Sequence, residues 1–192
     1  MDKEHVLLCI MGKSASGKDF LTNKLCERTG LKQLISYTTR ERRENEGDTH
    51  VFVTEEDYER MRSEGKIAAF TQIGPYKYWS TTDQLYANDC YIIDAVGMKS
   101  LKELNLPNLR FVSVYINVPD FIREDRALNK RKDDKVKFIN RSFAERGQFR
   151  EMLKNADFDY SVSNIEWPKA YSVLRHIATV EGVWKNHLEE EL

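Results

Sequence analysis

Two glycines and a lysine near the N-terminus have the spacing of a phosphate-binding loop. The pattern G-x-x-x-x-G-K lies between an apolar run, Val6 to Met11, and a helix-like pattern from Lys18 to Arg28. In such a loop, glycines let backbone N–H groups converge on an anion, the following helix adds positive potential, and the lysine neutralises the outer phosphates. We therefore predict a site for a nucleoside triphosphate. Its residues are Gly12, Lys13, Ser14, Ala15, Ser16, Gly17 and Lys18.

The residue after the loop lysine departs from the usual pattern. Serine or threonine normally stands there, and its hydroxyl group binds Mg²⁺, whereas this chain has Asp19. A carboxylate oxygen is a good ligand for Mg²⁺, directly or through water. Asp19 is therefore the candidate metal ligand.

A second group of chemically active side chains follows the first predicted helix. The segment from Tyr37 to Asp48 is polar and has neither a helical nor a strand period, so we predict a loop. Arg40 and Arg43 lie close together there, after two hydroxyl residues. Guanidinium groups beside hydroxyls suit a phosphate monoester, although a charged segment is also often a solvated linker. The residues alone leave both interpretations open.

The segment from Phe121 to Asn155 is strongly basic. It contains eleven Lys/Arg against six Asp/Glu, in a chain whose formal net charge is −1. A solvated helical hairpin would explain this excess. A mobile basic lid that closes over phosphates would explain it equally well.

Bulk properties describe an ordinary globular domain. The chain has 192 residues, of which 41% are hydrophobic and 32% charged, which suits one domain. The near-neutral charge does not point to nucleic acid or a membrane surface, and we see neither a signal-like start nor an apolar run of membrane-spanning length. Cys9, Cys26 and Cys90 lack C-x-x-C spacing, so we expect buried thiols in a reducing compartment and a cytoplasmic protein.

Strand-like and helix-like segments alternate along the chain, which predicts an α/β fold with a parallel sheet and helices on both faces. The core is predicted over residues 1–35, 89–128 and 156–192, and a small α+β lobe is inserted at residues 36–88. Within the lobe we predict a helix from Thr54 to near Gly65 and a hairpin across Gly74-Pro75. Residues 129–155 form a lid and a helix that carries Val136, Ile139 and Phe143 on one face.

These pieces together resemble the guanylate kinase family of nucleoside monophosphate kinases, from the phosphate loop to about Asn164. The segments that carry the resemblance occur in family order. After Gly12 to Lys18 they are Ser36-Tyr37-Thr38-Thr39-Arg40 with Arg43, Val51-Phe52-Val53-Thr54-Glu55-Glu56, Tyr78-Trp79-Ser80, Asp94, the basic lid, Asp159-Tyr160 and Ser163-Asn164.

The resemblance implies a P-loop kinase whose inserted lobe holds the acceptor. It implies transfer of the γ-phosphoryl group of Mg-ATP to a small phosphorylated acceptor, with GMP or dGMP favoured, in a monomer or homodimer that binds neither nucleic acid nor membrane. By position in the family motifs, the catalytic residues are Lys18, Arg40, Arg131 and Arg141, and Asn164 lies near the adenine. The acceptor residues are Ser36, Arg40, Arg43, His50, Tyr78, Ser80 and Asp94.

Two further departures bear on the acceptor. His50 stands where the family usually has a tyrosine, and Ala69 stands where guanylate kinases have a glutamate that reads guanine. Guanine selectivity is then weakened, moved to Thr71 or Gln72, or absent. With Asp19, these departures also resemble the ribose 1,5-bisphosphate phosphokinases, a sibling group whose acceptor has no base. Non-catalytic guanylate kinase-like modules are a third possibility, but they typically lose the ATP loop that this chain keeps.

Overall fold

The computed structural model describes residues 4–42, 47 and 49–185. Strands and helices alternate through this part of the chain. In chain order they are β1 (His5–Met11), α1 (Lys18–Thr29), β2 (Gln33–Leu34), β3 (Tyr37–Thr38), β4 (Val51–Phe52), α2 (Glu55–Ser63), β5 (Ile67–Ile73), β6 (Tyr76–Thr81), α3 (Thr82–Ala87), β7 (Cys90–Ile92), α4 (Ala95–Lys102), β8 (Leu109–Asn117), α5 (Asp120–Glu124), a π-helical segment (Asp125–Lys130), α6 (Lys135–Asn155), β9 (Tyr160–Ser163) and α7 (Trp167–Val180).

A five-stranded parallel sheet forms the core, in the order β2-β7-β1-β8-β9. Helices cover both faces of its central strand β1, and the side chains of β1 are accordingly apolar on both faces. Leu8 and Ile10 pack with residues of α1 and α7, such as Leu25 and Leu174. Leu7, Cys9 and Met11 lie in the opposite cluster, which includes residues of α3, α4 and α6. The predicted α/β fold, with helices on both faces of a parallel sheet, is confirmed.

A second, smaller sheet has the order β4-β3-β6-β5. The predicted hairpin is present, with β5 and β6 antiparallel across the turn at Gly74. The predicted loop from Tyr37 to Asp48 is wrong at its start, because Tyr37 and Thr38 form β3. The partners of β3 are β4, which is parallel, and β6, which is antiparallel. Two residues are too few to show an alternating pattern in the sequence. They form a strand because they pair with β4 and β6, which are distant in sequence.

The two sheets share one apolar cluster. Ala68 and Ala69 of β5 and Leu85 of α3 lie in the same cluster as Leu7 and Cys9 of the core sheet. Both capping boxes of this region are formed, by Thr54 before α2 and by Thr81 before α3. The shared cluster packs the small sheet directly against the core. The exact boundaries of the inserted lobe, residues 36–88, stay a prediction.

Helix α6 packs through a different face from the one that the sequence emphasised. Val136, Ile139 and Phe143 are exposed by 65%, 49% and 76%, whereas Phe138 and Phe149 are buried. A π-helical segment precedes this helix, at the place where the predicted lid begins. Such segments are rare and are often found at functional sites.

Three features of the described residues complete the fold. Cys9 and Cys90 are buried, Cys26 is half-buried, and all three thiols are free. Burial raises the pKa of the Cys9 thiol well above its usual range. None of the described helices combines the length and the apolar character that crossing a bilayer requires.

Candidate active site

A cavity of about 690 Å³ lies where strands β1, β2 and β7 end. In α/β proteins, ligands bind at the carboxyl ends of parallel strands. Most of the residues predicted from the sequence line this single space. They are Gly12, Ser14, Ala15, Lys18, Asp19, Ser36, Arg40, His50, Tyr78, Asp94, Arg131 and Arg141.

The loop after β1 has a backbone that suits an anion. Gly17 adopts a φ of 81° at the start of α1, and no side chain in the described part of the chain caps this helix N-terminus. Its first N–H groups are therefore available to a ligand. A side chain at Gly12 would force the loop or its neighbours to shift, because a Cβ atom there would lie 2.7 Å from Ser16 Oγ and 3.1 Å from the Ile116 carbonyl oxygen.

Two side chains hold this loop from behind. Asn164 Nδ2 donates to the Ser16 carbonyl oxygen at 2.7 Å, and Arg126 donates to the carbonyl oxygens of Ser16, at 3.3 Å, and Asn164, at 2.7 Å. Burial lowers the pKa of Arg126. Asn164, predicted near the adenine, is thus buried against the loop and is not part of the cavity lining. Gly17 must be glycine here as well, since a Cβ atom would lie 2.6 Å from Asn164 Nδ2.

Lys18 and Asp19 lie side by side at the cavity. Lys18 Nζ is 3.5 Å from Asp19 Oδ2, and the Asp19 side chain is 69% exposed. The described residues contain no group of three or more His, Cys, Asp or Glu side chains that could hold a metal. Mg²⁺ commonly binds through one or two carboxylates, substrate phosphates and water. One accessible carboxylate beside a phosphate loop fits that donor set.

On the opposite wall, three predicted acceptor residues form a cluster. A hydrogen bond of 3.0 Å joins Ser36 Oγ and His50 Nδ1, and the His50 ring lies 5.5 Å from the Tyr78 ring, near edge-to-face. Arg40 is buried, with its guanidinium 5.3 Å from the centre of the Phe52 ring. The predicted partner of Arg40, Arg43, lies outside the described residues.

Asp94 is held in a fixed orientation at the start of α4. Its Oδ1 accepts hydrogen bonds from Thr71 Oγ1 at 2.9 Å and from the Gly97 N–H at 2.7 Å. Thr71 and Ala69 line the cavity next to it. Gln72 is exposed and donates to the Gly74 carbonyl oxygen, so it is not in the lining. Of the two residues named for base recognition, only Thr71 faces the cavity.

Two more candidates do not line the cavity. Ser80 lies in β6 and is fully buried. Lys13 is half-buried at the start of the loop, where its charge helps to lower the pKa of Asp120, after the larger effect of a hydrogen bond from Arg123.

Two functional candidates escaped sequence reasoning. Glu145 of α6 accepts hydrogen bonds on Oε1 from the Ser14 N–H at 2.8 Å and the Ser14 hydroxyl at 2.5 Å. Arg123 Nη1 donates to the Ser14 carbonyl oxygen at 2.9 Å. Ser14 and Glu145 are 131 residues apart, so no short sequence motif connects them. Arg123 and Glu145 both lie in the basic segment from Phe121 to Asn155, whose net charge drew attention rather than its individual residues.

Comparison with known proteins identifies the family. The model of the family described as guanylate kinase matches residues 4–181. The chain belongs to the guanylate kinase family. Guanylate kinase from Syntrophotalea carbinolica is 28% identical, over 100% of this chain and 93% of that protein. The guanylate kinase from Coxiella burnetii is 29% identical, over 97% and 92%.

A solved structure shows the same fold. The guanylate kinase from Anaplasma phagocytophilum superposes with a TM-score of 0.66 at 22% identity, covering 93% of this chain and 87% of that one. The family model and the relatives named above confirm the predicted family. As a member of this family the protein is an ATP-dependent nucleoside monophosphate kinase, and its substrates are small nucleotides.

The close packing around Asp94 can be tested at Gly97, whose N–H donates to the Asp94 carboxylate. In Gly97→Ala the new Cβ would lie 2.9 Å from Ile93 Cγ1 and 3.3 Å from Thr71 Oγ1. We expect a loss of about 1–3 kcal/mol in the free energy of unfolding, because the stiff Ile93 side chain cannot move aside cheaply. Urea denaturation measures this change.

Gly147→Ala is the matched control. Gly147 lies within α6 and has open space around its Cα. The substitution should raise the free energy of unfolding by about 0.5–1 kcal/mol, because alanine favours the helix. If Gly97→Ala were also stabilising, the close packing around Asp94 would be wrong.

Proposed function

We propose that the protein transfers the γ-phosphoryl group of ATP to GMP or dGMP, with Mg²⁺ bound beside Asp19. One observation carries the proposal. Lys18, on the loop, and Arg40, on the opposite wall, line the same cavity as Arg131 and Arg141 of the lid. These four cationic side chains would surround both the acceptor phosphate and the phosphates of ATP.

The chemistry needs positioning and neutralisation of charge more than covalent help. An oxygen of the acceptor phosphate forms a bond to the γ-phosphorus, the bond from that phosphorus to the β–γ bridging oxygen breaks, and ADP leaves. That acceptor oxygen is already anionic, so no general base is required. Arg40, with Arg43, holds the acceptor phosphate in line with the γ-phosphoryl group.

The donor side stabilises the charge that spreads over the transferring oxygens. Lys18 binds the outer phosphates, while Arg131 and Arg141 reach them from the lid. Asp19 would hold Mg²⁺, directly or through water, and the bound ion would supply positive charge beside the phosphates of the nucleotide. Closure of the lid, residues 129–155, keeps water from accepting the phosphoryl group.

Acceptor identity depends on the wall formed by Ala69, Thr71 and Asp94. The Ser36-Tyr37-Thr38-Thr39-Arg40 segment supports a nucleotide acceptor, as do the names of the relatives. A second candidate is ribose 1,5-bisphosphate. Ala69 supports it, because the small side chain offers the base no hydrogen-bond acceptor at the wall.

The cellular setting remains part of the proposal. Three free thiols suit a reducing compartment, and we place the protein in the cytoplasm. We also keep the expectation of a monomer or homodimer that binds neither nucleic acid nor membrane.

Lys18→Ala tests the donor site. We expect kcat to fall by about 10²-fold or more, because one charge that stabilises the transition state is lost. The rate of ADP release measures kcat, and circular dichroism verifies the fold. Lys24→Ala is the control on the same helix: Lys24 forms an ion pair with Glu27 and is not among the residues that line the cavity, so the variant should keep wild-type turnover. A Lys18→Ala variant with near-normal kcat would contradict the assignment of the loop.

Ala69→Glu tests how the acceptor is recognised. A carboxylate at this position adds an acceptor for the guanine edge, and a charged hydrogen bond contributes about 1.5–3 kcal/mol. We expect the KM for GMP to fall about tenfold, with the KM for AMP unchanged. Ala69→Met, which adds length without an acceptor, should not lower it. An unchanged KM for GMP in folded Ala69→Glu would show that the base does not lie against residue 69.

A further inference from the structure

The phosphate loop donates hydrogen bonds to a carboxylate of the protein itself, that of Glu145. Glu145 Oε1 receives both the N–H and the hydroxyl of Ser14. Ser14 lies in the middle of the loop, and Ser14, Lys18, Asp19 and Glu145 all line the cavity. A carboxylate therefore takes up donors in a loop whose geometry is that of a phosphate site.

This contact lies in a largely enclosed, charged setting. The side chains of Arg123 and Glu145 are 3% and 14% exposed, and Arg123 Nη1 lies 3.7 Å from Glu145 Oε2. Arg123 also holds the Ser14 carbonyl oxygen and the Asp120 carboxylate. Glu145 Oε2 is buried and accepts no hydrogen bond from the described residues. The carboxylate is thus fixed mainly through Ser14.

A bound triphosphate would conflict with this arrangement. The outermost phosphate and the Glu145 carboxylate are both negative, and both need the donors at Ser14. Like charges in a cavity of low dielectric repel more strongly than in water. Either the phosphate stays away from Ser14 or the carboxylate moves.

We propose that Glu145 is a gate on the ATP site. Without nucleotide, its carboxylate occupies the Ser14 donors and ties α6 to the loop. The terminal phosphate of ATP displaces it and releases α6. Arg141 lies four residues earlier on the same face of this helix, so the release frees an arginine of the lid to move onto the phosphates. Glu145 is thus a positioning residue, and its role rests on the proposed ATP site.

The test is nucleotide binding by Glu145→Gln, measured by isothermal titration calorimetry with a non-hydrolysable ATP analogue and with ADP. Glutamine keeps the length and an acceptor oxygen but removes the charge. Arg123 keeps Asp120 as a partner, so the fold should survive. We expect the Kd for the ATP analogue to fall about tenfold, which corresponds to about 1.4 kcal/mol. The Kd for ADP should change much less, since ADP lacks the terminal phosphate.

Glu151→Gln is the matched control. Glu151 is exposed on the same helix, so its variant should bind both nucleotides like the wild type. In turnover assays, Glu145→Gln should also lower the KM for ATP and leave the KM for the acceptor unchanged. A purely structural role for Glu145 would not produce this split. If thermal melting shows that Glu145→Gln is unfolded, Glu145→Ala takes its place. It also removes the carboxylate, so the expected change in Kd is the same, and alanine favours the helix.

The outcomes separate the gate from the function on which it rests. If ATP analogue and ADP bind the wild type, and Glu145→Gln binds the analogue equally or more weakly, the gate is wrong and the kinase assignment stands. If neither the wild type nor Glu145→Gln binds the analogue, the ATP site itself is wrong and the gate falls with it.

Discussion

The loop after β1 must turn its N–H groups toward the cavity, and the rest of the site depends on this constraint. Side chains from other elements hold its carbonyl oxygens back: Asn164 and Arg126 bind that of Ser16, and Arg123 binds that of Ser14. Within the loop, Ala15 adopts a φ of 61°, a conformation that costs a non-glycine residue about 1–3 kcal/mol and persists only when the surroundings impose it. Arg123 and Arg126 follow β8 and Asn164 follows β9, so the parallel core sheet positions all three side chains.

The long elements of the fold were predictable because each shows its own period. Strand β1 is an uninterrupted apolar run, α1 ends at a glycine in the left-handed conformation, and the β5–β6 hairpin has Gly74-Pro75 at its turn. Strand β3 was missed because two residues have no period, and only their pairing with β4 and β6 defines them. On α6 the face with Val136 and Phe143 is exposed. The spacing of apolar residues along a helix does not show which of its faces packs against other elements.

For the site, too, local patterns were predictable and tertiary contacts were not. Residues within one motif, such as Lys18 with Asp19 or Ser36 with Arg40, were found together and line one cavity. Contacts between motifs were not foreseen. The hydrogen bonds of Ser14 to Glu145 join loop and lid, and the bond from Thr71 to Asp94 fixes a carboxylate beside Ala69. These contacts arise from tertiary packing, which one sequence does not specify locally. The roles of the individual residues stay predictions.

The most direct measurement is ADP release from Mg-ATP with a panel of acceptors: GMP, dGMP, AMP, CMP, UMP and ribose 1,5-bisphosphate. Although Ala69 replaces the glutamate, Thr71 and Asp94 of the same wall still offer hydrogen-bond acceptors to guanine, so GMP or dGMP should give the highest kcat/KM. The other nucleotides should be at least about tenfold poorer, the ratio expected from one lost hydrogen bond of about 1.4 kcal/mol. Turnover dominated by ribose 1,5-bisphosphate, or no turnover with any of the six, would contradict the proposed guanylate kinase activity.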